Sequence, residues 1–227
     1  MIIQKQKPFE DIVKSLEGES KVFIAGCADC ATACKTGGEE EVAEMKKKLE
    51  AIGKTVTGTA VVDTCCLAGK VRQLGRDMAD AVNSCDSILV LACGTGVQSL
   101  GESLKKPSHP GCDSLFIGEV VRLGKYVEKC SACGQCVLED TEGICPVTRC
   151  SKGLLNGPCG GYRNGKCEVD PEKDCAWMLI YDRLKERGKL DKLAKMAKPK
   201  AFSKAQSPRT YEWKRPEPAQ GKKGGDS

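Results

Sequence analysis

The chain has 227 residues, enough to bury a proper core as one large or two small domains, and a formal net charge of +5. It carries 16 cysteines against four phenylalanines, four tyrosines and two tryptophans, so cysteine outnumbers all aromatic residues together and an ordinary apolar core is not the plan. A single histidine, His109, with no Ser/His/Asp set and no paired-carboxylate pattern, argues against hydrolytic or general acid–base chemistry and against mixed Cys/His zinc sites.

The first residues, MIIQKQKPFEDIVKSLEG, lack the apolar stretch of a signal peptide, and no apolar run approaches the ~20 residues that span a bilayer. The expected location is the cytoplasm. In a reducing compartment disulfides contribute little, so the cysteines read as metal ligands or redox thiols. The charge is concentrated at one end. From Lys189 to Ser227 there are 11 Lys/Arg against four Asp/Glu, which leaves the rest of the chain at about −2. Residues 196–227 therefore read as a basic tail, flexible or wrapped on a partner. Nucleic acid is the alternative for such a tail, but its stacking aromatics are only Phe202, Tyr211 and Trp213, and no nucleic-acid role is expected.

In chain order, residues 8–17 place Phe9, Ile12, Val13 and Leu16 at helical spacing. KVFIAG (21–26) reads as a buried strand ending at Cys27. The next helix carries Val42, Met45, Leu49 and Ile52 on one face, acids first and lysines later, with Gly53 as its cap. Residues 55–63 form a second strand that ends beside Cys65 and Cys66. A helix from Leu67 to about Asn83 turns Val71, Leu74, Met78 and Val82 inward. SILVLA (87–92) is a third strand, ending at Cys93, then come a short helix near 97–104 and a fourth apolar run at 114–120. Alternating strands and helices predict an α/β domain over 1–124 with a parallel, doubly wound (Rossmann/flavodoxin-like) sheet. In such sheets ligands sit beyond the carboxyl ends of the strands. Cys27, Cys65, Cys66 and Cys93 fall at that edge, and Cys30 and Cys34 extend the loop from Cys27. These six are candidate metal ligands. Buried small apolar packing is the plainer alternative. Adjacent Cys65 and Cys66 should diverge rather than share one ion. Cys85 and Cys112 are expected at the opposite edge, as structural thiols. Gly94-Thr-Gly96 lacks the full G-x-G-x-x-G and is discounted as a phosphate loop.

After Gly124 the pattern gives way to a small, loop-rich cysteine module over 125–195, closed by a C-terminal helix or helix pair that includes Trp177, Leu179, Ile180 and Leu184. Cys130, Cys133 and Cys136 make C-x2-C-x2-C, a spacing by which one short loop presents three thiolates to an iron–sulfur cubane. Eight residues, rather than the ferredoxin three, precede Cys145-Pro146. Cys145 is the sequence-near fourth ligand, while Cys150, Cys159, Cys167 and Cys175 stay open. Eight thiols suffice for two four-ligand sites, or for one [4Fe-4S] cluster and a four-thiolate zinc. Structural zinc throughout is the bland reading. A third reading is a thiol-based enzyme with Cys65-Cys66 as its reactive pair.

The run CSACGQCVLEDTEGICPVTRCSKGLLNGPCGGYRNGKCEVD, together with GCADCATACKTGGEEEV and ACGTGVQ, resembles the cysteine-rich module of bacterial methylenetetrahydrofolate reductases. In its separate form this is the MetV-type subunit, and the resemblance covers roughly residues 5–190. It implies a non-catalytic subunit that carries one or more [4Fe-4S] clusters, with zinc as a possible companion. FMN and folate would then sit on a MetF-type flavoprotein partner. It further implies electrons arriving from ferredoxin or from an NADH- or heterodisulfide-reductase-like module. The complex would reduce 5,10-methylenetetrahydrofolate to 5-methyltetrahydrofolate in the reductive acetyl-CoA pathway. By the same resemblance Cys130, Cys133 and Cys136 would ligate one cluster, and Cys27, Cys30, Cys66 and Cys93 are the best four for another, with Cys34 and Cys65 close behind.

Overall fold

The computed structural model describes residues 1–213. In chain order the elements begin with β1 (Ile2–Gln6), α1 (Phe9–Ser15), β2 (Lys21–Cys27), α2 (Cys30–Ala33) and α3 (Glu39–Ala51). Next come β3 (Thr55–Val62), α4 (Ala68–Asp77), α5 (Ala79–Ser84), β4 (Ser87–Leu91) and α6 (Gly94–Leu104). The chain continues through β5 (Ser108–Pro110), β6 (Cys112–Arg122), β7 (Lys125–Cys130), α7 (Pro146–Arg149) and α8 (Ala176–Glu186). No helix among the described residues is long and apolar enough to cross a membrane.

The strands form two sheets: a parallel one in the order β3-β2-β4-β5 and an antiparallel one in the order β1-β6-β7. The parallel sheet is covered on both faces, which is why β2 and β4 read as unbroken apolar runs. Phe23, Ala25, Ile88 and Val90 pack with Val71, Val82 and Leu100 from α4, α5 and α6. The alternate residues Val22, Ile24, Leu89 and Leu91 pack with Ile12, Leu16, Val42, Met45 and Leu49 from α1, its C-cap and α3. The α3 helix starts where Glu41 accepts the Gly38 N–H at 2.8 Å, with Glu39 and Glu40 also set at the positive end of the helix dipole.

Several expectations change. The apolar run at 114–120 is not a fourth parallel strand. It lies in β6, antiparallel to β1 and β7, and the fourth parallel position belongs to the three residues of β5. An edge strand needs only a few ladder bonds, so no long apolar run announces it. The expected helix over 67–83 is two helices that meet at Met78, whose backbone leaves the helical region at φ −123°, ψ 35°. The break lets α4 lie on α6 while α5 lies on β2 and β3. The short helix near 97–104 extends back to Gly94, and Ile52 is exposed because α3 ends before it. Cys112 is not at the edge opposite the other thiols. It closely follows β5, and its Sγ lies 3.7 Å from the Thr36 carbonyl oxygen in the loop after α2. Cys85 does sit at the amino edge, buried, with its Sγ 3.1 Å from the Val82 carbonyl oxygen. The strands β1 and β7 carried no signal strong enough to be expected.

Beyond β7 regular structure is sparse. Ile144, Trp177, Ile180 and Leu184 form a small core of their own. A buried carboxylate fastens the loop before it to the segment after α8: Glu142 meets Lys189 at 3.1 Å, Lys192 at 3.2 Å and Arg187 at 3.3 Å. The Lys189 ammonium, then that of Lys192, holds this carboxyl below the usual range. Of the tail, residues 196–213 are described and the remainder lies outside the described residues.

A close backbone approach underlies the carboxyl edge of the parallel sheet. The Gly37 carbonyl accepts the Cys27 N–H at 2.9 Å, and a Cβ at Gly37 would overlap the Leu91 carbonyl. Gly37→Ala is expected to destabilise the protein by about 1–3 kcal/mol through overpacking. The shift in urea midpoint at unchanged slope measures it, and an unchanged midpoint contradicts the packing described.

Candidate functional site

Parallel strands deliver all their carboxyl ends to one edge, and four of the expected residues arrive there by strand exits. Cys27 ends β2, Cys65 and Cys66 follow β3, and Cys93 caps α6 after β4. Strand order reverses between β2 and β4, so the chain leaves these two strands toward opposite sides and opens a crevice at their ends. Cys30 begins α2 at the same rim. The Cys27 backbone is held from both sides, donating to Gly37 and accepting from Thr32 Oγ1 at 2.9 Å.

Sulfur meets sulfur between Cys27 and Cys65. The Cys65 thiol has two acceptors within reach, the Gly26 carbonyl at 3.3 Å and the Cys27 sulfur, and its one proton serves one at a time. Donation from Cys65 lowers the Cys27 thiol to about 6, well below the ordinary thiol value. Giving that hydrogen bond, and burial, push Cys65 far up. Burial, with the neighbouring Cys93 adding to it, raises Cys30 and Cys66 as well. Cys65 is buried and Cys66 exposed, so the adjacent side chains do diverge. Gly96 is explained by packing: a Cβ there would lie 2.9 Å from Cys65 Cβ. Cys34 turns aside, buried, its Sγ 3.9 Å from the Ile2 carbonyl oxygen, and keeps company with Cys112, which burial pushes up to about 12.

The second group starts at Cys130, delivered by the last residue of β7. Ala132 and Gly134 take positive φ (52° and 74°), and the loop turns tightly between its three cysteines. The Cys130 sulfur accepts the Ala132 N–H at 3.3 Å. A basic strap from the tail crosses this loop. Lys200 Nζ lies 2.9 Å from Cys133 Sγ and also reaches the Gln135 carbonyl, the Ala201 N–H donates to Gln135 Oε1 at 2.9 Å, and Arg209 donates to the Ala132 carbonyl at 2.7 Å. A Cβ at Gly134 would come within 2.7 Å of the Lys204 carbonyl oxygen, which is where the strap needs glycine. The Lys200 ammonium, by donating to it, holds the Cys133 thiol below its ordinary value. Sequence reasoning missed Lys200 and Arg209. They lie in a stretch whose composition reads as tail, and nothing in their spacing marks a contact some 65 residues back along the chain.

A third group, none of it buried, surrounds a small cavity. Cys150, Cys159, Cys167 and Cys175 all line one small cavity of about 20 Å³, comparable to the space a single water or ion fills. Short backbone bonds hold two of its walls: Cys167 N–H to Lys173 at 2.9 Å and Cys175 N–H to Gly165 at 2.7 Å. Trp177 closes another side, its indole N–H donating to the Leu154 carbonyl at 3.0 Å. Arg149 and an ion pair between Lys152 and Glu168 also line it. Cys145 stands apart from this cavity, at the start of α7.

As their side chains stand, no three His, Cys, Asp or Glu among the described residues converge tightly enough to hold a metal ion. The donor chemistry does suit soft, thiophilic metal: sulfur-only sets, no histidine near them, partial burial, and one cavity sized for an ion. The residues that could hold such a group are Cys27, Cys30, Cys65, Cys66 and Cys93 at the sheet edge, Cys130, Cys133, Cys136 and Cys145 in the module, and the four cysteines of the small cavity.

Lys200→Met removes the donor on Cys133. In metal-free protein the midpoint of Cys133 alkylation against pH should move upward, toward the ordinary thiol value, and Lys200→Arg should largely restore it. Quantifying alkylation of the Cys133 peptide by mass spectrometry reads this out, and an unmoved midpoint in Lys200→Met contradicts the contact.

No curated protein and no solved structure matches the chain significantly. Residues 109–203, somewhat under half of the chain, match the family model described as methylene-tetrahydrofolate reductase C terminal. The matched stretch runs from β5 through the antiparallel hairpin, both cysteine groups of the module and α8 to the strap over Cys133. Through this stretch the chain is similar to the C-terminal region of the methylenetetrahydrofolate reductases.

Proposed function

We propose that the chain is a MetV-type accessory subunit of a methylenetetrahydrofolate reductase complex, holding iron–sulfur clusters that pass electrons to the flavin of a MetF-type partner. The observation that carries this reading is the match of residues 109–203 to the reductase C-terminal family, because that stretch includes the C-x2-C-x2-C loop and the four cysteines of the small cavity. It is supported by 16 cysteines in a chain with a single histidine, a composition suited to sulfur-ligated metal. Reduction of 5,10-methylenetetrahydrofolate to 5-methyltetrahydrofolate consumes two electrons and two protons, and the folate and flavin would both sit on the partner. Ferredoxin, or an NADH- or heterodisulfide-reductase-like module, would supply the electrons.

In this proposal Cys27, Cys30, Cys66 and Cys93 hold one [4Fe-4S] cluster, with Cys65 donating to the Cys27 sulfur from behind. Cys130, Cys133 and Cys136, with Cys145, hold another. Bound clusters supply one-electron transfer, and the protein supplies their surroundings. Lys200 places a positive N–H donor on the Cys133 sulfur, and the strap that carries it covers the loop. Hydrogen bonds and positive charge at a ligating sulfur stabilise the reduced, more negative state, so both favour electron uptake. A specific observation favours zinc at the third group: a cavity the size of one ion between Cys150, Cys159, Cys167 and Cys175. Zinc there would brace the loops around the small core and carry no electrons.

Protein purified without oxygen, alone and with a co-expressed flavoprotein partner, decides between the two roles. It should be brown, contain iron and acid-labile sulfide in equal amounts with about one zinc per chain, and bleach on dithionite. Cys159→Ser and Cys175→Ser should each lose the zinc, and Cys133→Ser and Cys93→Ser should each lower the iron. A folded, colourless protein with zinc as its only metal would leave the bracing role and sink the electron-transfer one.

A further inference from the structure

A cavity among the described residues touches the thiol groups only at Cys136. It holds about 880 Å³, within the range of small-molecule sites, and lies between the triple-cysteine loop, α8 and the segment 192–200. In a chain with only ten aromatic residues, three of them, Tyr162, Trp177 and Tyr181, line this one space. Trp177 is 5% exposed and its indole N–H is committed to Leu154, so it backs the cavity as a fixed wall, and the accessible rings are those of Tyr162 and Tyr181. The hydroxyls of Tyr162 and Tyr181 have no hydrogen-bond partner among the described residues. Such a lining suits a flat ring system, which can stack on the aromatic faces while its polar edge reaches the phenols.

The charge on the lining is one-sided. Four lysines, Lys192, Lys195, Lys198 and Lys200, face one acid, Asp140. Two of the lysines are already engaged: Lys192 by Glu142 and Glu139, and Lys200 by Cys133 and Gln135. Lys195 and Lys198 have no acidic partner within ion-pair distance among the described residues. The segment that carries them is fastened over the cavity rather than draped across it. Asn156 donates to the Ala197 carbonyl at 3.3 Å and accepts the Ala197 N–H at 2.6 Å, a reciprocal pair of the kind made between strands. The three ion pairs to Glu142 anchor the segment's other end.

We propose that this cavity is a binding site for a planar aromatic anion of nucleotide size, with the ring on Tyr162 and Tyr181 and the phosphate or carboxylate at Lys195 and Lys198. The site rests on no metal, so its success or failure is separable from the cluster assignments. It places its ligand beside Gln135 and Cys136, on the loop that would carry one of the clusters.

Equilibrium dialysis of the anaerobically purified full chain against two matched pairs of probes, AMP with adenosine and FMN with riboflavin, tests this. At least one anion should bind, and its uncharged counterpart should bind at least about tenfold more weakly. The pair that binds identifies the ring. Lys195→Glu/Lys198→Glu should weaken the anion by at least about tenfold, and Tyr181→Ala should weaken it too, with metal content and circular dichroism as in the parent. If a variant fails to fold, Lys195→Gln/Lys198→Gln serves the same comparison. No binding of either anion overturns the proposal. So does equal binding of charged and uncharged partners, or undiminished binding by a folded charge variant.

Discussion

Parallel pairing brings the carboxyl ends of distant strands to one line, and the chemistry of the N-terminal half depends on this constraint. Cys27, Cys65 and Cys93 are separated by dozens of residues, yet each stands at the end of a strand of the same sheet and so reaches the same rim. The crevice between β2 and β4 exists because the connections leave those strands on opposite sides. Packing beneath the rim is tight at glycines: Gly37 against Leu91, Gly96 against Cys65. A rigid floor of this kind holds the backbone positions from which the thiols project.

The cysteine-rich half is held together differently. Its apolar core amounts to four buried residues, and ties replace packing: the Glu142 ion pairs, the Asn156–Ala197 clip and the Lys200–Arg209 strap. Ties among exposed groups are individually worth little, so a module with so small a core gains most from something that links its loops at their centre. Four sulfurs around an ion-sized cavity are placed for that, and the proposed zinc would couple folding to metal there.

How much of this is legible in the sequence depends on what each residue answers to. The strands β2 and β4 are readable because burial on both faces leaves apolar runs, β3 because it is rich in β-branched residues, and α3 by its one-face helical spacing. The rim cysteines are readable for the same reason, since fixing where a strand ends also fixes which residues leave it. Residues 114–120 mislead because apolar character does not encode the direction of pairing, and β5 escapes because three residues leave no period. Cys112 is misplaced as a direct consequence: once β5 precedes it, it comes after a strand as well as leading one. The four-thiol grouping of Cys150, Cys159, Cys167 and Cys175 cannot be chosen over other sets from spacing alone, because loops without a period bring distant residues together by turns such as those at Gly157, Gly160 and Gly165. The strap is hidden because long-range contacts of lysine and arginine leave no local pattern.

The central claim is that sulfurs from separate parts of this chain share inorganic partners. Anomalous diffraction at the iron and zinc absorption edges, from crystals grown without oxygen, tests it most directly. The account predicts iron peaks among Cys27, Cys30, Cys66 and Cys93 and beside Cys130, Cys133 and Cys136, with a zinc peak among Cys150, Cys159, Cys167 and Cys175. Crystals of folded protein with no iron peak at either place, the sulfurs standing apart from one another, would contradict it.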